Sequence, residues 1–179
     1  IIRFHEVALK GKNQHVFVEA LVQSIKQSTR GLGIARVWAE RMMIRLSLHE
    51  GADWELVKTR IATVSGVAKF SLAHKIKPDY RALEQFALSL VSSMKFKSFR
   101  ITSKRSDKRF PMTSPEINAH LGESVRIRSG AIVDLVNPEL NIQIEILPND
   151  IFVSLGSFPG PGGLPVGTGG RTITLMSGG

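Results

Sequence analysis

The chain has 179 residues, with 24 Lys+Arg against 15 Asp+Glu and a formal charge of +9. A hydrophobic fraction of 42% and a charged fraction of 22% describe an ordinary globular protein and exclude a disordered one. The absence of Cys excludes a disulfide framework, a thiolate zinc site and a cysteine nucleophile, and no apolar run approaches the roughly 20 residues of a membrane helix. No signal peptide is visible, so a cytoplasmic location is expected. The length suits one large domain or two small ones, and a start without Met suggests a piece of something longer.

Ile1–Phe4 is short and β-like. A helix is predicted from Asn13 to Arg30, because Phe17, Leu21 and Ile25 recur at four-residue spacing with Val16 and Ala20 beside them, one apolar stripe. Gly31 and Gly33 end it. Ala35–Glu40 and Met43–Leu48 read as strands, the second alternating Ile44, Leu46 and Leu48 with Arg45 and Ser47. Asp53 is placed to cap a helix to Val64, with Leu56, Val57 and Ile61 inward. Gly66 breaks it, and residues 67–76 read as one further strand. The order β-α-β-β-α-β is that of a ferredoxin-like unit over residues 1–77.

Pro78-Asp79 marks the expected boundary to a second, α/β unit over 78–158. Tyr80–Phe96 has the 3–4 spacing of a helix, through Leu83, Phe86, Ala87, Leu90, Val91 and Met94. Phe99–Arg105 is a strand with Phe99, Ile101 and Ser103 on one face and Arg100, Thr102 and Lys104 on the other. Ser114-Pro115-Glu116 is a helix start, with Ser114 as the capping hydroxyl. That helix runs to Ser129 and buries Ile117, Leu121 and Val125. Three strands follow at 132–135, 141–147 and 150–155. From Phe158 the run FPGPGGLPVGTGG admits neither helix nor central strand. Residues 159–179 therefore read as a linker or shaped loop, then a strand from Arg171 ending in Ser177-Gly178-Gly179. A strand ending in a glycine-rich turn is how phosphate-binding loops begin.

Charge is unevenly spread. Residues 1–77 balance at +7, residues 78–130 at +5 and residues 131–179 at −3. The densest stretch, KFKSFRITSKRSDKR over 95–109, has seven basic residues and one acid, a field that attracts polyanions. Lys104, Arg105, Lys108 and Arg109 join a strand to a helix N-terminus, whose free N–H groups suit phosphate. Asp107 is placed to hold an arginine, and Phe110 to enter the core. Arg100, Arg126 and Arg128 extend the candidate surface, and Lys10, Lys12 and Asn13 form a second basic loop before the first helix. His5-Glu6 has no ligand spacing around it and is no metal site. Ser177 has no matched base, and no catalytic constellation emerges. A basic module that docks a protein partner is the alternative these residues leave open.

The runs RFHEVALKGKN, FRITSKRSDKRFPMTSPEINAHLG, VDLVNPELNIQIEI and GPGGLPVGTGGRTITLMSGG together resemble the tRNA 4-thiouridine synthetases. These are the tRNA sulfurtransferases of the thiamine-biosynthesis ThiI family. The resemblance covers essentially the whole chain but only the front of such an enzyme. It implies an α+β chain, a ferredoxin-like domain and then a THUMP RNA-binding domain, holding tRNA by its acceptor stem and 3′ end. A following PP-loop domain, using ATP and Mg, adenylates uridine 8, and a persulfide sulfur from a cysteine desulfurase replaces the oxygen. The resemblance places Leu175, Met176, Ser177, Gly178 and Gly179 at the start of the ATP site, with the rest of the motif cut off. The chain by itself is therefore expected neither to thiolate nor to bind ATP usefully. A homodimer is a further expectation, and thiamine synthesis is a second role in some members.

Overall fold

The computed structural model describes residues 1–4 and 13–169, in two compact units. The first comprises residues 1–70 and the chain from Phe158 on; the second is Ser71–Ser157.

In the first unit β1 (Ile2–Arg3), α1 (Gln14–Ser28), β2 (Ile34–Glu40), β3 (Met43–Leu48), α2 (Trp54–Ile61) and β4 (Lys69–Phe70) follow in the expected order. All strand pairings are antiparallel. The order β4-β1-β3-β2 puts each helix crossover around an intervening strand, the split βαβ arrangement. The stripe of α1 buries Leu21 and Ile25 against Ile44, Val57, Ile61, Val67 and Phe70. Asp53 caps α2 by accepting from the Leu56 N–H at 3.1 Å. Leu56 itself points outward, 42% exposed, while Val57 and Ile61 are buried; α2 is only two turns long, and its inward face is set by those two residues.

The expected single strand over 67–76 is two strands in different sheets. β4 pairs with β1, whereas β5 (Ala73–Ile76) pairs with a strand of the second unit. Alternation along an extended chain does not register a passage from one sheet to the next. By compactness, the first unit's opening stretch ends at Phe70 and β5 goes with the second unit. Pro78-Asp79 marks a helix start, because Asp79 Oδ1 accepts from the Ala82 N–H at 2.8 Å.

The Gly/Pro-rich segment does not run as a linker through its described part. A strand at Phe158–Pro159, the last in chain order, adds to the outer edge of β4, the sheet position where a proline is tolerated. Phe158 stands 5.6 Å from Phe70 and 6.0 Å from Trp54 between ring centroids, an aromatic cluster closing that end of the core. Gly160 and Gly162 donate to Ala68 and Val67 carbonyls at 3.0 and 2.8 Å. A Cβ on Gly160 would strike the Val67 carbonyl oxygen and side chain. Gly160→Ala is therefore expected to destabilise the first unit by roughly 1–3 kcal/mol, since the obstacle is backbone. Urea unfolding checks this, and a wild-type midpoint would contradict it.

In the second unit α3 is Tyr80–Ser92, β6 Ser98–Arg105, α4 Ser114–Ser129, β7 Ile132–Val133, β8 Leu140–Ile146 and β9 Ile151–Leu155. The sheet order is β5-β9-β8-β6-β7, with β6 parallel to both β7 and β8. β8 alternates buried Leu140, Ile142, Ile144 and Ile146 with half-buried Asn141, Gln143 and Glu145. Those apolar residues pack with Leu83, Ala87 and Val91 of α3 and Ile117, Leu121 and Val125 of α4. Each fully buried side chain contributes about 1.5–3 kcal/mol. α3 stops four residues short of Phe96, which packs edge-on against Phe99 with ring centroids 6.0 Å apart. No helix among the described residues is long and apolar enough to cross a membrane.

Candidate nucleic-acid interface

β6 carries the densest cations to the edge of the second unit's core. Phe99 and Ile101 face the helices. Their neighbours Thr102 and Lys104 are exposed, as the alternation predicts. The loop from Ser106 to Met112 then returns the chain to α4.

The start of α4 differs from expectation. Thr113, not Ser114, is the N-cap, and it forms a full capping box with Glu116. Glu116 Oε2 accepts from the Thr113 N–H at 2.6 Å, and the Glu116 N–H points back to Thr113 Oγ1 at 3.5 Å. Pro115 has no N–H to offer. The N-terminus expected to cradle a phosphate is thus already supplied with its own carboxylate, and binding of an anion there is disfavoured. Those bonds hold the Glu116 carboxyl below the usual range, the Thr113 N–H being the largest cause and its hydroxyl the next.

Two of the expected binding arginines hold the protein together. Arg105 is half-buried, and its Nη1 donates to the Phe110 and Met112 carbonyls at 3.0 and 2.9 Å. Phe110 is buried beneath that clamp. Arg100 Nη1 donates to the Leu135 carbonyl at 2.9 Å and ties β6 to the β7–β8 connection. Both stand among the residues expected to bind RNA. A residue count along a strand gives the face of a side chain, but not the carbonyls a long guanidinium reaches.

The remaining cations of the run point outward. Lys104 and Lys108 are exposed, and neither has an acidic partner among the described residues. The cross-strand neighbour of Lys104 in register is Glu145. The Arg109 side chain is 79% exposed, and its guanidinium grips Asp107 through Nε and Nη2, both at 3.0 Å. Asp107 also accepts from the Arg109 N–H at 3.0 Å. Its carboxyl is held below the usual range, first by the Arg109 side-chain bonds and then by that N–H. The pair adds little stability in water, but it fixes the direction in which Arg109 is presented.

Both depressed carboxyls set a pH dependence. The stability they contribute is full above the ordinary carboxylate range and is lost as pH falls through it and below. The thermal midpoint is expected to drop between about pH 6 and about pH 3, and less so in the double variant Asp107→Asn/Glu116→Gln. Equal drops would show that these two bonds do not order the loop.

Of the other expected residues, Arg128 is exposed at the end of α4, and its Nε donates to Ser92 Oγ at 3.2 Å. It lines an open groove of about 360 Å3 with Lys95 and Phe96. Lys95 was not expected here, although it opens the dense basic run. Asn13 occupies the N-cap position of α1 but makes no side-chain capping bond. Lys10 and Lys12, and Leu175, Met176, Ser177, Gly178 and Gly179, lie outside the described residues. Among the described residues no group of three or more His, Cys, Asp or Glu stands close enough to hold a metal ion.

Residues 1–71 match the model of the ThiI ferredoxin-like domain, and residues 77–156 that of the THUMP domain. A probable tRNA sulfurtransferase of Thermus thermophilus is 40% identical over 176 residues, covering 98% of this chain and 43% of that protein. One of Brevibacillus brevis is 36% identical, covering 100% of this chain and 45% of its own. Among solved structures, a 4-thiouridine synthetase–RNA complex with bound ATP superposes with a TM-score of 0.83 at 26% identity, over 99% of this chain and 46% of that one. PH1313 from Pyrococcus horikoshii shares the fold, with a TM-score of 0.81 at 24% identity. The chain thus spans less than half the length of these two curated relatives. Over that span it belongs to the ThiI family, as a ThiI ferredoxin-like domain followed by a THUMP domain.

Proposed function

We propose that this chain is the tRNA-holding part of a tRNA sulfurtransferase, and that it grips the acceptor stem and 3′ end. The observation that carries the reading is the likeness, over 99% of the chain, to a 4-thiouridine synthetase solved with RNA. The exposed cations supply its chemistry. Lys104 and Lys108 are free point charges and Arg109 a directed fork, three groups suited to backbone phosphates. An A-form major groove is too narrow for side-chain readout, so recognition falls on phosphates, 2′-OH groups and unpaired ends. In this reading the role of the chain is to hold and present. A PP-loop domain, with ATP and Mg, thiolates uridine 8 of the held tRNA. A cysteine desulfurase supplies sulfur, the whole enzyme pairs as a homodimer, and the work is done in the cytoplasm.

The test is an RNA stem carrying a single-stranded 3′ overhang against the same stem made blunt, in gel shifts with the full chain. The overhang is expected to bind several-fold more tightly. Equal affinity would mean that charge alone is read, and the acceptor-end assignment would fall.

A further inference from the structure

The first unit carries a second basic surface, outside the residues discussed so far. A groove of about 710 Å3 lies between the last turn of α1 and the edge strand β2, lined by Lys26, Arg30, Arg36 and Trp38 among others. Lys26 lies in the last turn of α1, and Arg30 in the turn just past its C-cap Thr29. All three cations are exposed, and none has an acidic partner among the described residues. The Arg36 guanidinium lies 5.0 Å from the Trp38 ring centroid. The indole is held by its Nε1, which donates to Glu40 Oε2 at 3.3 Å, and Glu40 is in turn held by Arg45 at 3.1 Å. Glu40 is therefore engaged, and it orients the ring. The tight turn from α1 to β2 uses Gly31 and Gly33 at φ 79° and 69°, which leaves that stretch of the lining without side chains. β2 is the edge of its sheet, but its pairing with β3 shifts register between Ile34 and Arg36. A bulged edge is poorly suited to adding another strand, which argues against an extended peptide.

We propose that this groove binds an unpaired stretch of RNA, with Lys26, Arg30 and Arg36 on successive phosphates and a base stacked on the Trp38 indole. Cations strung along a helix end and a strand suit a chain of phosphates better than a single one, and an aromatic face held among cations is the recurring platform for single strands. The base takes the place of the Arg36 guanidinium on the ring, and the guanidinium moves to the adjoining phosphate. The inference rests on the tRNA-holding reading and adds a contact to it, remote in sequence from the loop after β6.

The test uses the full chain, a short oligouridylate and intrinsic fluorescence, Trp38 and Trp54 being its two tryptophans. Wild-type fluorescence is expected to be quenched on titration, and the quench to be lost in Trp38→Phe with unchanged circular dichroism. The triple variant Lys26→Ala/Arg30→Ala/Arg36→Ala is expected to bind the oligomer roughly tenfold more weakly, with a log affinity–log salt slope smaller by about two. A quench that persists in Trp38→Phe, or an unchanged slope, overturns the proposal. So does equal quenching by uridine monophosphate, or full competition by a polyglutamate peptide. A Lys104→Ala/Lys108→Ala variant in parallel separates the two readings. If the groove variant binds whole tRNA, unpaired ends included, like wild type while the loop variant loses it, the groove fails and tRNA holding stands; if neither loses it, both fail.

Discussion

Replacing Lys104 and Lys108 together by alanine is expected to weaken tRNA binding by roughly tenfold at moderate salt. The log–log salt slope should fall by about two, one for each lost phosphate contact. Both side chains are exposed and free of acidic partners among the described residues. Their removal should therefore leave stability within about 0.5 kcal/mol of wild type. The effect should be nearly uniform across tRNA sequences, since a phosphate carries no base identity. Filter binding over a range of salt checks the slope and urea unfolding the stability. Unchanged affinity would remove this loop from the interface.

Arg105→Ala should behave in the opposite sense. Its guanidinium spans two loop carbonyls, of Phe110 and Met112, and charge-assisted bonds of this kind are worth more than neutral ones. Truncation leaves both carbonyls short of a partner over the buried Phe110 ring. The expected loss is roughly 2 kcal/mol in the second unit. tRNA affinity should also fall, because Lys108 and Arg109 ride on the loop, but the salt slope should fall by less than one. Arg105→Lys should recover only part of the stability, since an ammonium does not span two carbonyls as a planar fork does. A variant as stable as wild type, with a slope lower by one, would make Arg105 a phosphate contact and not a clamp.

The contrast between these two variants marks what was legible in the residues alone. The alternation of β8 and the stripes of α1 and α3 are strictly local patterns: β8 buries every second residue and the stripes bury Leu21, Ile25, Leu83, Ala87 and Val91, while Val16 and Met94, at the stripe ends, stay exposed. Long-range partners have no such pattern. Nothing in residues 67–76 announces that the chain leaves one sheet at Phe70 and enters another at Ala73. Nor does a Gly/Pro run announce that Phe158 will return to complete the first core. Local chemistry also misleads by one residue when two candidates adjoin, as with Thr113 and Ser114. Only Thr113 stands three residues before the acid that completes the capping box.

The same distinction applies to the candidate site. A run of seven cations marks a basic surface, but it does not separate those that face water from those spent on backbone. Arg100 and Arg105 alternate with their neighbours in opposite phase, yet both end on loop carbonyls. Lys104 and Lys108, shorter in hydrogen-bonding reach and without a fork, stay free. The groove at Lys26, Arg30, Arg36 and Trp38 was not legible at all, because α1 and β2 bring together residues that form no dense run.

The most direct measurement of the central claim is the affinity of the full chain for an unmodified tRNA as a function of salt. Counterion release from several phosphates predicts a straight log–log plot with a steep negative slope, roughly −0.7 to −0.9 per phosphate neutralised. Affinity should exceed that for a bare duplex at every salt concentration. A flat plot, or equal affinity for tRNA and duplex, would contradict a chain whose role is to hold tRNA.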